Sequence, residues 1–202
     1  MIEIPTEVPV MALSNAVLFP HSLLPLYIFE QRYREMLSQT LDGDRMFSVA
    51  LIKRGIEEAK GIEDLCPVAG VGLIRACVGN ENGTANLILQ GLVRVRLLGL
   101  AQEKPFRVAR VELVKSELGN QIEAEALSTK VLELCARIEE IGVPLPPNLI
   151  DHLRRLESPE ILSDVVSAAF VTEPFQRQQL LEAHEVCDRL RLLIQFLRNQ
   201  AG

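Results

Sequence analysis

Val68-Ala-Gly-Val-Gly-Leu-Ile-Arg-Ala-Cys-Val78, then Gly79-Asn-Glu-Asn-Gly83, then Thr84-Ala-Asn-Leu-Ile-Leu-Gln90 is the stretch that decides the fold. Two apolar runs flank a turn of glycine and asparagine, which spells a β-hairpin. In the second run Ala85, Leu87 and Leu89 share one face. After Gly91 alone, residues 92–100 form a further strand by pattern. Within it Val93-Arg94-Val95-Arg96-Leu97 alternates strictly, so the valines and leucine are expected inward and the arginines outward. Residues 106–114 follow as another strand. Upstream, residues 8–13, 24–29 and 46–52 are short apolar runs of strand length. The helix-forming residues 30–41, with Tyr33, Met36 and Leu37 on one stripe, predict a single inserted helix ended by Asp42-Gly43-Asp44.

Past residue 116 the period changes. Leu127, Val131, Leu134, Ile138 and Ile141 are spaced by four and three, which places them on one helical face. Residues 143–148 hold three prolines and form a connector. Ser158-Pro159-Glu160 predicts a helix start with serine as N-cap and proline in the first turn. Glu173-Pro174 begins another helix, and Val186, Leu190, Leu193, Ile194 and Leu197 line a last one. Strands first and helices second make the chain α+β. The expected architecture is a partly closed β-barrel over residues 1–116 and a helical bundle over 117–202.

Charge follows the same division. Residues 1–115 balance 13 basic against 13 acidic side chains, and residues 116–202 hold 8 against 14, so the net charge of −6 belongs to the second part. Net acidity argues against non-specific binding of nucleic acid, which needs a phosphate-neutralising surface. No apolar stretch is long enough for a membrane helix, and residues 1–7, without a basic and then apolar run, give no expectation of a signal peptide. Cys66, Cys77, Cys135 and Cys187 are dispersed, which predicts free thiols and a cytoplasmic protein.

Most catalytic spellings are missing. There is no phosphate-loop motif, no H-E-x-x-H and no G-x-S-x-G. Gly70-Val71-Gly72 begins like a dinucleotide fingerprint, but Arg75 stands where the third glycine belongs and the segment lies inside a strand. His21, His152 and His184 lie apart, without the acidic or cysteine neighbours that metal ligation needs. Arg75, Arg94, Arg96, Arg107 and Arg110 are the one basic cluster. Arg94 and Arg96 on a shared face would suit a phosphate, yet the chain has no Trp and two Tyr with which to stack bases. Neither an enzyme activity, a metal nor a cofactor is expected.

Residues 8–30, Val-Pro-Val-Met-Ala-Leu-Ser-Asn-Ala-Val-Leu-Phe-Pro-His-Ser-Leu-Leu-Pro-Leu-Tyr-Ile-Phe-Glu, resemble the opening of the Lon N-terminal domain. Val68-Ala-Gly-Val-Gly-Leu-Ile-Arg, Gly83-Thr and Gln90-Gly-Leu-Val-Arg-Val-Arg-Leu are similar to its next hallmark stretch. Ile161-Leu-Ser-Asp-Val-Val-Ser-Ala-Ala-Phe, Gln178-Gln-Leu-Leu-Glu-Ala and Arg189-Leu resemble its helical close. The resemblance implies a PUA-like β pseudo-barrel with a helical bundle behind it, in a stand-alone form without ATPase and peptidase domains. It further implies a protein-binding module that engages exposed apolar segments of client proteins, with a protease or chaperone as a further partner. The alternative is an RNA-binding PUA-like module, which rests on fold analogy alone.

The loop at residues 14–23 is the candidate contact region. Val17, Leu18, Phe19 and Leu23 are large and apolar in a segment stiffened by Pro20 and Pro25. Such a loop is either a plug in the barrel mouth or an exposed patch. On the second reading Phe19, His21, Leu23 and Leu24 are the peptide contacts, with Tyr33 behind them.

Overall fold

A computed structural model describes residues 3–201, and it divides into one unit ending at Val114 and a second beginning at Lys115. The first unit contains β1 (Glu7–Leu13), β2 (Leu23–Ile28), α1 (Gln31–Asp42), β3 (Met46–Leu51), β4 (Val68–Gly79), β5 (Ala85–Gln102) and β6 (Arg107–Val114). The second contains α2 (Gln121–Glu140), α3 (Leu149–Arg154), α4 (Pro159–Phe170), α5 (Pro174–Glu182) and α6 (Val186–Ala201).

Strand order is β2-β5-β4-β3-β1-β6, and β6 also pairs with β5. The pairings β5–β4, β4–β3, β3–β1, β1–β6 and β6–β5 therefore form a closed circuit of five strands, with β1 and β3 parallel and the rest antiparallel. The sixth strand, β2, lies outside that circuit. It pairs with the first half of β5, from Leu23 opposite Gln90 to Ile28 opposite Ala85. The second half of β5 pairs with β6, from Arg94 opposite Val114 to Gln102 opposite Val108.

One strand thus spans what the pattern divided into two at Gly91. The physical reason is a close approach. A side chain at Gly91 would collide with the Phe19 carbonyl, and one at Gly70 with the Leu18 carbonyl. Gly91 interrupts the side-chain pattern without ending the strand, because it lets the loop backbone lie against the sheet. Val17, Leu18, Phe19 and Pro20 are all buried, Leu18 and Phe19 completely.

The alternation holds, with Val95 in the interior cluster and Val93 and Leu97 packed against it, but Arg94 on the outward face is nevertheless covered. Its side chain is 2% exposed. Directly opposite residues share a face, and Arg94 stands opposite Gly70, whose missing Cβ points at Leu18. Arg94 therefore lies on the same outer face as Arg96 and is buried there beneath the 17–20 loop. In the rest of the basic cluster Arg96 stands opposite Glu112 and Arg110 opposite Glu7 in the register, Arg107 donates to the Ala59 and Lys60 carbonyls, and Arg75 is exposed.

In the helical unit α2 packs along α6. Val131, Leu134 and Ile138 are buried as the spacing requires, joined by Ala124 and Cys135. Ile141 departs from the stripe: it caps the helix after Glu140 and is 59% exposed. Ser158 caps α4 through the Ile161 N–H at 3.4 Å. A fully buried ion pair joins Arg189 of α6 to Asp164 of α4 at 3.2 Å. Arg189 also donates to the Ala183 carbonyl and to the hydroxyls of Ser163 and Ser116. Such a site is costly to desolvate and costly to break on one side only.

Candidate functional site

The strand outside the circuit creates an uncovered apolar face. On β2, β5 and β4 the register sets Pro25, Ile88 and Ala76 in one row and Tyr27, Asn86 and Val78 in the next. Side chains alternate across a sheet, so the residues between them turn the other way. Leu87 and Leu89 are core, and Leu24, Leu26 and Cys77 pack against it. The outward rows have no layer over them. Leu23 is 64% exposed, Tyr27 53%, Phe29 60% and Val78 65%. The Tyr27 and Phe29 rings stack with centroids 5.9 Å apart. Between the strands lies a shallow cavity of about 370 Å³, lined by Pro25, Tyr27, Ala76, Val78, Ile88 and their neighbours, with no charged residue in its wall.

The free edge of β2 is blunted. Gly91 N–H donates to the Ser22 carbonyl at 2.9 Å, and alternation from there turns the backbone groups of Leu24, Leu26 and Ile28 toward β5. Those of Leu23, Pro25 and Tyr27 turn to the open side. Proline has no N–H to offer an incoming strand. The face, not the edge, is the surface on offer.

The residues of the candidate loop separate into two groups. Phe19 is buried in the loop packed on the sheet, and Tyr33 is 4% exposed. Tyr33 holds the fold from behind: its hydroxyl accepts from Ala12 N–H at 3.1 Å and donates to the Ala12 carbonyl at 3.0 Å. Burial, the largest influence on it, pushes its pKa up. His21 is exposed with a left-handed backbone (φ 61°), and its N–H donates to the Gly91 carbonyl. Leu23 is out on the face, whereas Leu24, its neighbour, turns to the core.

Sequence reasoning missed Pro25, Tyr27, Phe29, Ala76, Val78 and Ile88. A signal was present. Leu23-Leu-Pro-Leu-Tyr-Ile-Phe29 is apolar without alternation. A strand apolar on both faces needs two covers or leaves one face bare. Among the described residues no group of three or more His, Cys, Asp or Glu is placed to hold a metal. No described helix is long and apolar enough to cross a membrane. All four cysteines are free, and burial pushes the Cys135 thiol up to about 12.

Residues 7–199 match the family described as the ATP-dependent protease La (LON) substrate-binding domain. The chain belongs to that family. The Lon protease of Anaeromyxobacter dehalogenans (strain 2CP-C) is 28% identical over 199 residues, covering 98% of this chain and 24% of that protein. The Lon protease of Escherichia coli (strain K12) is 24% identical over 194 residues, covering 96% and 25%. The chain thus spans about a quarter of the length of the curated Lon relatives it matches. The N-terminal domain of Mycobacterium avium complex Lon protease superposes with a TM-score of 0.74 at 20% identity, covering 96% of this chain and 98% of that one. The Lon N-terminal domain protein of Xanthomonas campestris gives 0.66 at 20% identity over 95% and 99%. The α+β fold read from the sequence is that of the Lon N-terminal domain. The matched stretch is the substrate-binding domain, and neither the ATPase nor the protease domain lies within these residues.

Proposed function

We propose that this LON-family domain is a non-enzymatic recognition module that holds exposed apolar segments of client proteins on the outer face of β2, β5 and β4. The observation that carries the reading is the bare apolar sheet face, with four large side chains more than half exposed and no charge in its cavity wall. Contiguous exposed apolar surface of this kind marks interaction sites. A face of small pockets and stacked rings accepts many sequences, as a domain that samples unfolded chains requires. The site residues are Leu23, Tyr27, Phe29 and Val78, with His21 at the rim. Phe19, Leu24 and Tyr33 support it from within. A protease or chaperone that takes over the held segment completes the reading, and the four free thiols support a cytoplasmic setting.

The test is binding of a permanently unfolded protein, reduced and carboxymethylated, by the wild type and by the L23S/Y27S/V78S variant. The variant should keep its Tm within a few degrees and lose most of its affinity. Binding by the wild type should change little with salt, since charge screening does not weaken apolar contacts. Unchanged affinity in a folded variant contradicts the proposal. Steeply salt-dependent binding to RNA in place of the unfolded protein favours the RNA-binding reading.

A further inference from the structure

A second cleft, of about 410 Å³, lies on the opposite side of the β4–β5 hairpin, between its tip and α1. Its chemistry is unlike that of the bare face. Leu37, Leu41, Cys77 and Ala85 give it an apolar floor, and Arg34 and Arg45 stand in its wall. Neither arginine has an ion-pair partner among the described residues. The nearby carboxylates of Glu35, Asp42, Asp44 and Glu81 do not line the cleft. Glu35 accepts instead from Gln31 at 2.7 Å, and Asp44 lines a separate hollow beside Pro5.

The guanidinium of Arg34 and the backbone of Arg45 are both held in place. Arg34 lies against the hairpin turn, where a Cβ at Gly83 would collide with its Nη2. Arg45 has φ 60°, a left-handed conformation in which glycine or asparagine costs less. It is fixed there because its N–H donates to the Thr40 carbonyl at 3.0 Å and its carbonyl accepts from Ile74 N–H at 2.9 Å. A residue held in a sparsely populated conformation with its charge unpaired points from geometry to use.

We infer that this cleft binds the C-terminal carboxylate of an apolar client tail, with Arg34 and Arg45 receiving the carboxylate and the leucine floor receiving the last side chain. The inference rests on the reading of the domain as a binder of protein segments. Two unpaired cations over an apolar floor complement a ligand that has an anion and an apolar group on the same carbon. A chain ending in an aliphatic residue has both. An aspartate or glutamate side chain brings its carboxylate without the apolar group beside it. Guanidinium–carboxylate contacts are charge-assisted and suited to two-pronged recognition.

Fluorescence anisotropy with a labelled octapeptide ending in two leucines tests this, using the free acid and the C-terminal amide. The acid should bind about tenfold tighter at low salt, and the ratio should shrink as salt rises. R34Q/R45Q should bring the acid down to the level of the amide, and R34K/R45K should restore part of the difference. L23S/Y27S/V78S should leave the acid-to-amide ratio intact even where it loses the unfolded protein, which separates this proposal from the preceding one. Equal binding of acid and amide overturns it, as does a ratio that survives in R34Q/R45Q or an absence of binding by either peptide. An amidated peptide with an internal aspartate that matches the free acid also overturns it, since the cleft would then read side-chain carboxylates.

Discussion

The closed circuit of five strands and the three-stranded wing share β5 and β4, yet they treat apolar side chains in opposite ways. In the circuit every strand has two neighbours, the interior is filled by the strands' own side chains such as Val8, Val10, Ala50, Val71 and Val95, and Leu18 and Phe19 cover the other face of the sheet at Gly70 and Gly91. In the wing β2 has one neighbour, and the outer rows from Leu23 to Val78 are left bare. The same kind of residue is core in one place and surface in the other. What differs is the cover: the circuit closes on its own side chains and a loop of this chain lies over part of its outer face, whereas nothing from the described part of this unit covers the outer rows of the wing. The proposed function assigns stability to the first region and client binding to the second. Substitutions should therefore separate the two.

The largest effect should come from filling the space beneath the 17–20 loop. Gly91→Ala puts a Cβ onto the Phe19 carbonyl, a backbone atom that cannot rotate away. Overpacking of this kind costs roughly 3 kcal/mol, which lowers Tm by on the order of 10 °C. Thermal unfolding checks it, and a Tm within two or three degrees of wild type would break the comparison at its stable end.

Tyr33→Phe should cost about 2 kcal/mol, because Ala12 N–H and C=O both lose their partner in a buried place. The substitution also has a pH signature. Burial raises the pKa of Tyr33 in the folded state, so the folded protein holds that proton more tightly than the unfolded chain. The associated stability is complete below the ordinary tyrosine value of about 10 and is lost as pH rises toward the higher folded value. Denaturant unfolding between neutral and strongly alkaline pH should show this loss in the wild type and a shallower one in Y33F.

How much of this was legible in the residues depends on the element. The hairpin at residues 68–90, the helix behind Tyr33 and the Ser158 cap follow from local chemistry, and each is found where turn residues, apolar spacing and capping rules put it. The continuity of β5 through Gly91 and the burial of Arg94 were not legible for one reason: both answer to a loop more than 70 residues upstream, and no local pattern announces that approach. Ile141 continues the spacing of its helix but falls after the last turn, where Gly142 has already released the chain. The candidate loop was split because Phe19 and Leu23 are equally apolar letters, and only the close packing of residues 17–20 on the sheet distinguishes them. The bare face was written as an unbroken apolar β2, but its second half came from β4 and β5 through register.

Leu23 and Leu24 give the finest comparison. They are adjacent and chemically identical, and they differ in which face they occupy. Leu24→Ser should cost on the order of 1–2 kcal/mol, since a side chain packed on the core is replaced by a polar one. Leu23→Ser should stay within about 0.5 kcal/mol, as exposed substitutions do. Binding of the unfolded protein should reverse that order, falling for L23S and holding for L24S per folded molecule. Equal loss of stability in both would mean that the wing is covered in solution.

Site-specific photo-cross-linking tests the central claim most directly. A photoreactive amino acid is placed in turn at the positions of Leu23, Tyr27 and Val78, and at Leu113, which is apolar and 49% exposed on β6 outside the wing. Each protein is irradiated with the unfolded client. The account predicts strong cross-links from the three wing positions and a background signal from position 113. Equal cross-linking at all four positions, or none at the wing, would contradict it.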